Sequence, residues 1–254
     1  MQLILRPIQI LYTIYAFVVF LLLMFLLFPF IVVASFFGKE KGGNAIYNIC
    51  RFWADSCMLL WGIRHKNYFE APHDASKPSI LLFNHTSYMD IPILMSAFRY
   101  QHLRVLGKSE MTRIPIFGFI YKNAVVTVDR SDASHRARSV KVLKAVLKKN
   151  ISVVIAPEGT FNMSHHPLKE FYDGAFKIAI ETQTPIKPVL FLDALDRLHY
   201  KNIFTLTPGK SRAIYLAEIS VEGYEIKDTP LLKQKVFNIM EARLKHYNAS
   251  WIKN

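Results

Sequence analysis

Between Pro7 and Gly38 the chain carries no charged residue, and this run constrains the fold more than any other feature. Its 32 residues, mostly Leu, Phe, Ile and Val, would reach roughly 48 Å as one helix. The hydrocarbon core of a bilayer is only about 30 Å thick. The run is therefore a membrane segment, too long for one straight perpendicular crossing. A cleaved signal peptide is the rival reading, but its apolar stretch is about 7–15 residues and ends at small residues; Gly38-Lys39-Glu40-Lys41 offers no such site. Pro29 removes a helical hydrogen bond and crowds the preceding turn, so a kink or break is expected there. Either a tilted span or a bent element entering one leaflet fits. Basic residues flank both ends (Arg6; Lys39 and Lys41), which favours both ends being cytoplasmic.

A glycine-containing charged stretch, residues 39–44, reads as a hinge into a second helix over residues 44–63. That helix contains Trp53, Trp61 and Tyr47, which suit a membrane interface equally with packing on a globular core. The expected organisation is thus membrane-anchoring helices over residues 1–63 and one globular domain over 64–254. The formal net charge of +13 points to an anionic partner. With a membrane segment attached, anionic lipid headgroups are the simplest one. No nucleic-acid motif occurs, so nucleic acid is not expected as a partner. Cys50 and Cys57 would lie about 10.5 Å apart along one helix, too far for a disulfide.

Beyond residue 63, short apolar runs alternate with helical stretches. Strands are expected at 79–83, 103–106, 124–128, 152–156, 186–192 and 213–217. Helices are expected within 128–152 and over 174–182 and 229–246. This alternation predicts an α/β domain with a partly parallel mixed sheet flanked by helices. Three polar clusters each follow one of these strands: Asn84-His85-Thr86-Ser87-Tyr88-Met89-Asp90, Asp129-Arg130, and Pro157-Glu158-Gly159-Thr160. Ligands bind outside the carboxyl ends of strands in such sheets, so parallel neighbours would bring His85, Arg130 and Glu158 to one rim. His85 and Asp90 can meet only if the chain turns between them. Asp90 would then hold one ring nitrogen protonated and leave the other as a base. An acceptor hydroxyl would supply the nucleophile that the chain lacks. Ser87 has no Gly-x-Ser-x-Gly surroundings, and helix capping is its expected role.

On these residues the chain resembles the PlsC-type family of 1-acylglycerol-3-phosphate acyltransferases. The Asn-His-x-Ser-x-x-Asp block is matched by Asn84, His85, Ser87 and Asp90, and a hydrophobic strand ending in Arg by Val125 to Arg130. Lys108 with Pro115-Ile116-Phe117-Gly118, Pro157 to Thr160, and Pro188 complete the blocks, in order, from about residue 79 to 192. The resemblance implies His85 as base and Asp90 as its orienting partner. Asn84, Ser87 and Pro188 fall within the family's site blocks. It implies Arg130, with Lys108 as helper, on the acceptor phosphate, a role that suits a guanidinium. Glu158, Gly159 and Thr160 would shape the acceptor site. It implies acyl-coenzyme A or acyl-carrier protein as co-substrate, a lysolipid as acceptor, no cofactor, and a catalytic domain on the cytoplasmic face.

One departure matters: the third block usually continues with Arg-Ser, and Phe161-Asn162 stand there instead. An acceptor of lower charge, such as a lyso-aminolipid, is the alternative this raises. A catalytically silent lipid-binding adaptor and a thioester hydrolase are the rival classes. His165-His166 lack metal-site spacing, and no metal is expected. The basic stretch 135–149 is either a docking face for an acyl donor or the solvated side of an amphipathic helix.

Overall fold

The computed structural model of the chain describes residues 2–129 and 131–253, with side chains from residue 6 onward. The first helix, α1 (Gln2–Ser35), runs unbroken through Pro7 and Pro29. Of the kink or break expected at Pro29, the break is absent: the helix is held on both sides of that residue by its packing partners. A π-turn at Gly38–Gly42 reverses the chain into α2 (Gly43–Leu60). Indole N–H groups then staple the two helices together, Trp53 donating to the Phe20 carbonyl at 3.2 Å and Trp61 to the Ala16 carbonyl at 3.0 Å. Such staples are expected of buried Trp, whose N–H needs a partner. The second helix ends at Leu60 and not at Ile63, because Gly62 takes a left-handed φ of 59° and Ile63 opens a strand.

The elements that follow are β1 (Ile63–Phe69), β2 (Ile80–Phe83), α3 (Asp90–Ala97), β3 (Leu103–Lys108), α4 (Phe117–Ala124), β4 (Val125–Val128), α5 (Ala133–Leu147), β5 (Ser152–Ile155), α6 (Gly174–Thr182), β6 (Ile186–Phe191), the short α7 (Ala194–Arg197), β7 (Gly209–Tyr215) and α8 (Thr229–His246). The strands form one sheet in the order β1-β7-β6-β2-β5-β3-β4. Five strands, β6 through β4 in that order, are mutually parallel; β7 pairs antiparallel to β6 and carries β1 with it.

The central strands read as continuous apolar runs because both faces are covered. Leu81 and Phe83 of β2 enter the core beneath α1–α4, whereas Ile80 and Leu82 enter the core beneath α5, α6 and α8. Each fully buried aliphatic side chain contributes roughly 1.5–3 kcal/mol. This three-layer sandwich fixes the carboxyl ends of β2 and β5 as immediate neighbours. The outer side of α1 covers nothing: Leu11, Tyr15, Val18, Leu22, Leu26, Phe30 and Val33 form an exposed apolar stripe. Its spacing of three or four residues is that of one helix face. By length and composition, residues 6–35 are apolar enough to cross a membrane.

Candidate active site

The chain leaves β2 at Phe83 and turns through residues 84–89 before α3 begins at Asp90. Asn84 anchors the turn. Fully buried, it donates to the Phe191 carbonyl at 3.0 Å and accepts from the Phe191 amide at 2.8 Å, extending the β2–β6 ladder by side chain. The turn supplies the reversal that the His85–Asp90 spacing demands. His85 Nδ1 lies 2.7 Å from Asp90 Oδ2, and that same oxygen accepts from the backbone amides of Thr86 at 2.8 Å and Ser87 at 2.9 Å. Asp90 is sealed, 1% exposed, while 24% of the His85 side chain is open. A carboxylate that accepts two amide protons is an acceptor toward the ring as well, so Nδ1 carries the hydrogen and Nε2 holds the lone pair. Among the described residues Nε2 makes no hydrogen bond.

Ser87 is not poised as a nucleophile. Its hydroxyl is buried, donates to the Leu198 carbonyl at 2.5 Å and accepts from the Met89 amide at 3.0 Å, so it braces the turn before α3 and does not cap the helix itself.

Glu158 lies at the end of the neighbouring strand, β5, and points under the histidine loop. One oxygen accepts from the His85 amide at 2.9 Å and the other from the Lys169 amide at 2.8 Å. Burial pushes its carboxyl up to about 7 against the lowering effect of those two bonds. Gly159 has φ of 71°, a left-handed turn that favours glycine and lets the chain leave the strand sharply. The loop from Pro157 to Asp173 has no helix or strand of its own. It is pinned by the Asn162 amide on the His85 carbonyl at 2.6 Å, and by the Asn162 side chain on the His166 carbonyl at 2.8 Å. Phe161 stands against the site: its ring centre is 4.4 Å from that of His85 and 4.8 Å from that of Tyr88, both edge-on.

The structure therefore brings together His85, Asp90, Glu158, Gly159 and Thr160. Asn84, Ser87 and Pro188 are buried behind them; Pro188 sits inside β6 opposite Leu82. Lys108, exposed at the end of β3 and paired with Val128 of β4, shares the rim two strand spacings away from β2, about 10 Å. Arg130 lies outside the described residues. The Pro-x-x-Gly block before α4 has a steric reason: a Cβ on Gly118 would meet the Thr112 carbonyl oxygen at 2.2 Å. Sequence reasoning missed Lys169, whose ammonium donates to Thr160 Oγ1 at 2.7 Å. No motif marks it; only the loop's path brings it to the site. Cys50 and Cys57 are free and buried. Among the described residues no cluster of His, Cys, Asp or Glu could hold a metal ion.

A histidine held by a buried carboxylate, with its other ring nitrogen open to solvent, can take a proton from a hydroxyl that a substrate brings. The acyltransferase family model matches residues 63–192, which contain all of this machinery. A 1-acyl-sn-glycerol-3-phosphate acyltransferase of Cocos nucifera is 31% identical over 170 residues, 66% of this chain and 54% of that protein. One from Helicobacter pylori is 23% identical over 221 residues, 86% and 88% of the two chains. The crystal structure of the 1-acyl-sn-glycerophosphate acyltransferase PlsC from Thermotoga maritima superimposes with a TM-score of 0.72 over 100% of both chains, at 21% identity. The chain belongs to the acyltransferase family. It spans about half the length of the Cocos relative.

Proposed function

We propose that this enzyme transfers an acyl chain from a thioester, acyl-coenzyme A or acyl-carrier protein, to the free hydroxyl of 1-acyl-sn-glycerol-3-phosphate, giving phosphatidate. The observation that carries the reading is the His85–Asp90 pair, presented on the rim with Nε2 open and Ser87 locked away. His85 Nε2 takes the proton of the acceptor hydroxyl as its oxygen attacks the thioester carbonyl. The C–O bond forms, the C–S bond of the resulting tetrahedral adduct breaks, and the imidazolium returns the proton to the departing thiolate. Asp90 stabilises the imidazolium in between without taking its proton. The chain's own residues suffice for these proton transfers, so no cofactor is invoked. The acceptor reading is supported by the names that the relatives from Cocos and Helicobacter carry.

The same reading places the enzyme on the cytoplasmic membrane face, with α1 lying along the surface of one leaflet. Gln9, near the start of that helix, donates to the Thr205 carbonyl at 3.2 Å, and Phe28 packs edge-on against Phe119 of α4 with ring centres 5.7 Å apart. The 19 residues between these contacts span about 28 Å, nearly the thickness of the hydrocarbon core. A perpendicular crossing would drag the catalytic domain through the bilayer with it. An impermeant thiol reagent should label cysteines introduced at Arg6 and at Lys41 from the same side of a sealed vesicle. Labelling from opposite sides would reinstate a span.

The activity test uses purified protein in detergent with labelled acyl-coenzyme A or acyl-carrier protein, and lysophosphatidate or a neutral-headgroup lysolipid as acceptor. Labelled phosphatidate that disappears in His85→Ala supports the reading. Product from the neutral acceptor alone would keep the chemistry and replace the substrate. Free fatty acid as the sole product would make the enzyme a hydrolase.

A further inference from the structure

We propose that Lys169 is the cation that grips the phosphate monoester of the acceptor; the inference rests on the function proposed above and names a residue that determines its specificity. The backbone amide of Lys169 and that of His85 are held on the two oxygens of one carboxylate, Glu158. That clamp fixes the position of Lys169 relative to the base whatever its side chain is. Its side chain folds back over the same loop and donates to Thr160 Oγ1 at 2.7 Å. An ammonium has three donors, and among the described residues this is the one hydrogen bond it makes; no described carboxylate lies within ion-pairing distance of it. The donors left over are free to meet an anionic ligand, with which an ammonium makes charge-assisted hydrogen bonds.

The chemistry of the acceptor puts an anion at that place. Its reacting hydroxyl must lie on His85 Nε2, and only the C2–C3 bond and an ester oxygen separate that carbon from phosphorus. The phosphate must therefore fall beside the loop that borders His85, which is where residues 158–169 run. Phe161 is the residue of that loop packed directly on His85, and it carries no charge. It lines the reacting end with carbon, and the positive charge comes from Lys169 eight positions further along. Lys108 stands on β3, two strand spacings from β2, and is placed to assist from the far side. The acyl donor also carries phosphates, in coenzyme A or in phosphopantetheine. Lys169 is assigned to the acceptor because it is tied to the histidine loop by the Glu158 clamp.

The test compares wild type, Lys169→Met and Lys169→Arg in steady-state kinetics with each donor, using 1-oleoyl-lysophosphatidate and 1-oleoylglycerol as acceptors. Lys169→Met keeps the backbone amide on Glu158 and nearly the same volume. Its KM for lysophosphatidate is expected to rise about 10- to 100-fold, the range of a charge-assisted hydrogen bond. The kcat, the KM of the donor and any turnover of 1-oleoylglycerol should hold, and Lys169→Arg should recover most of the loss. An unchanged KM, an equal loss on both acceptors, or a loss in the donor KM would overturn the assignment. Equilibrium binding of lysophosphatidate to His85→Ala, with and without Lys169→Met, separates the two levels. Wild type without lysophosphatidate turnover ends the functional reading. Binding that is blind to Lys169 ends this inference, even if turnover stands.

Discussion

Buried polar clusters sit at both ends of the same parallel strands, and they differ in what they leave open. At the carboxyl ends, Asp90 and Glu158 are sealed; Asp90 spends its bonds on the His85 loop, Glu158 divides its two between the His85 and Lys169 amides, and His85 itself faces outward. At the amino ends, Lys187 is fully buried in β6 and donates to the Pro72 carbonyl at 2.8 Å. Burial lowers its pKa, with Glu218 pulling the other way. Beside it, His73 Nε2 lies 3.1 Å from Gln101 Oε1, and the Ser79 hydroxyl donates to Glu218 at 3.4 Å. This second cluster holds a buried cation, a part-buried histidine with a lowered pKa and an exposed glutamate, and its histidine is held by a neutral amide where His85 is held by a sealed carboxylate. Perturbed ionisable groups therefore do not by themselves mark the site. What distinguishes the carboxyl end is a buried carboxylate that fixes the tautomer of a histidine open to solvent.

The largest expected effect breaks the comparison at its open end. His85→Ala should lower turnover by about 10²- to 10⁴-fold and leave the thermal midpoint nearly unchanged, because the ring is part-exposed. Asp90→Asn should lose activity comparably but also lower the melting temperature. Its neutral amide oxygen is a weaker acceptor for the Thr86 and Ser87 amides, and its NH₂, if turned to the ring, donates to Nδ1 and favours the wrong imidazole tautomer. If Asp90→Asn kept wild-type turnover, the orienting role assigned to it would fall.

Glu158 is next. Replacing it by Gln sets an NH₂ against one of two backbone N–H donors, leaving a buried donor unsatisfied at about 1–3 kcal/mol; chemical denaturation would read the loss. Its titration gives a second signature. The native carboxyl holds its proton up to about 7, whereas the unfolded chain releases it in the usual carboxylate range near about 4.3. Between those values the unfolded state binds fewer protons, so this group's contribution is present below the window and lost as pH rises through 7. Stability should fall across it with a slope no steeper than about 1.4 kcal/mol per pH unit, and Glu158→Gln should remove that component. A pH-independent difference between the two proteins would show that Glu158 is ionised in the native state throughout.

Asn84 tests the scaffold behind the site. Asn84→Ala strips two hydrogen bonds from the Phe191 backbone and should cost about 1–3 kcal/mol of stability, measured by denaturation. Activity should then fall only through the looser His85 turn.

How much of this was legible follows from where the physics is local. Strands buried on both faces, such as Ile80–Phe83 and Ser152–Ile155, announce themselves as unbroken apolar runs, and the polar residue after each marks the rim. Gly174–Thr182 and Thr229–His246 matched their expected bounds because helical periodicity needs no partner to be seen. By contrast β1, Ile-Arg-His-Lys-Asn-Tyr-Phe, reads as neither strand nor helix; it is a strand because β7 pairs with it along its whole length. Its polar side chains are satisfied by that neighbourhood, with His65 on Ser211 and Asn67 on the Ala97 carbonyl. The site was legible as a set of residues but not as a mechanism of support. The joint use of Glu158 by His85 and Lys169, and the Asn84–Phe191 pairing, join residues 73 to 107 positions apart. Whether a proline breaks a helix is also not local: α1 continues through Pro29, where Phe28 packs on Phe119.

The smallest effect belongs to the amino end. Lys187→Met exchanges a buried ammonium for an apolar chain of similar length. The cation gives up its water to sit in the sheet and recovers one hydrogen bond to Pro72 and a long-range attraction to Glu218. Removing it relieves the desolvation of the charge but leaves the Pro72 carbonyl without its donor. These terms oppose each other, so the stability change should stay within about 1.5 kcal/mol of zero, and kcat/KM should move less than about twofold. His73 should titrate higher in the variant, since one of the influences lowering its pKa is the positive charge of Lys187; NMR of the ring would follow it. A large kinetic loss in Lys187→Met would break the distinction between the two ends, because it would mean that the amino-end cluster reaches the acyl-transfer step through the strands that separate them.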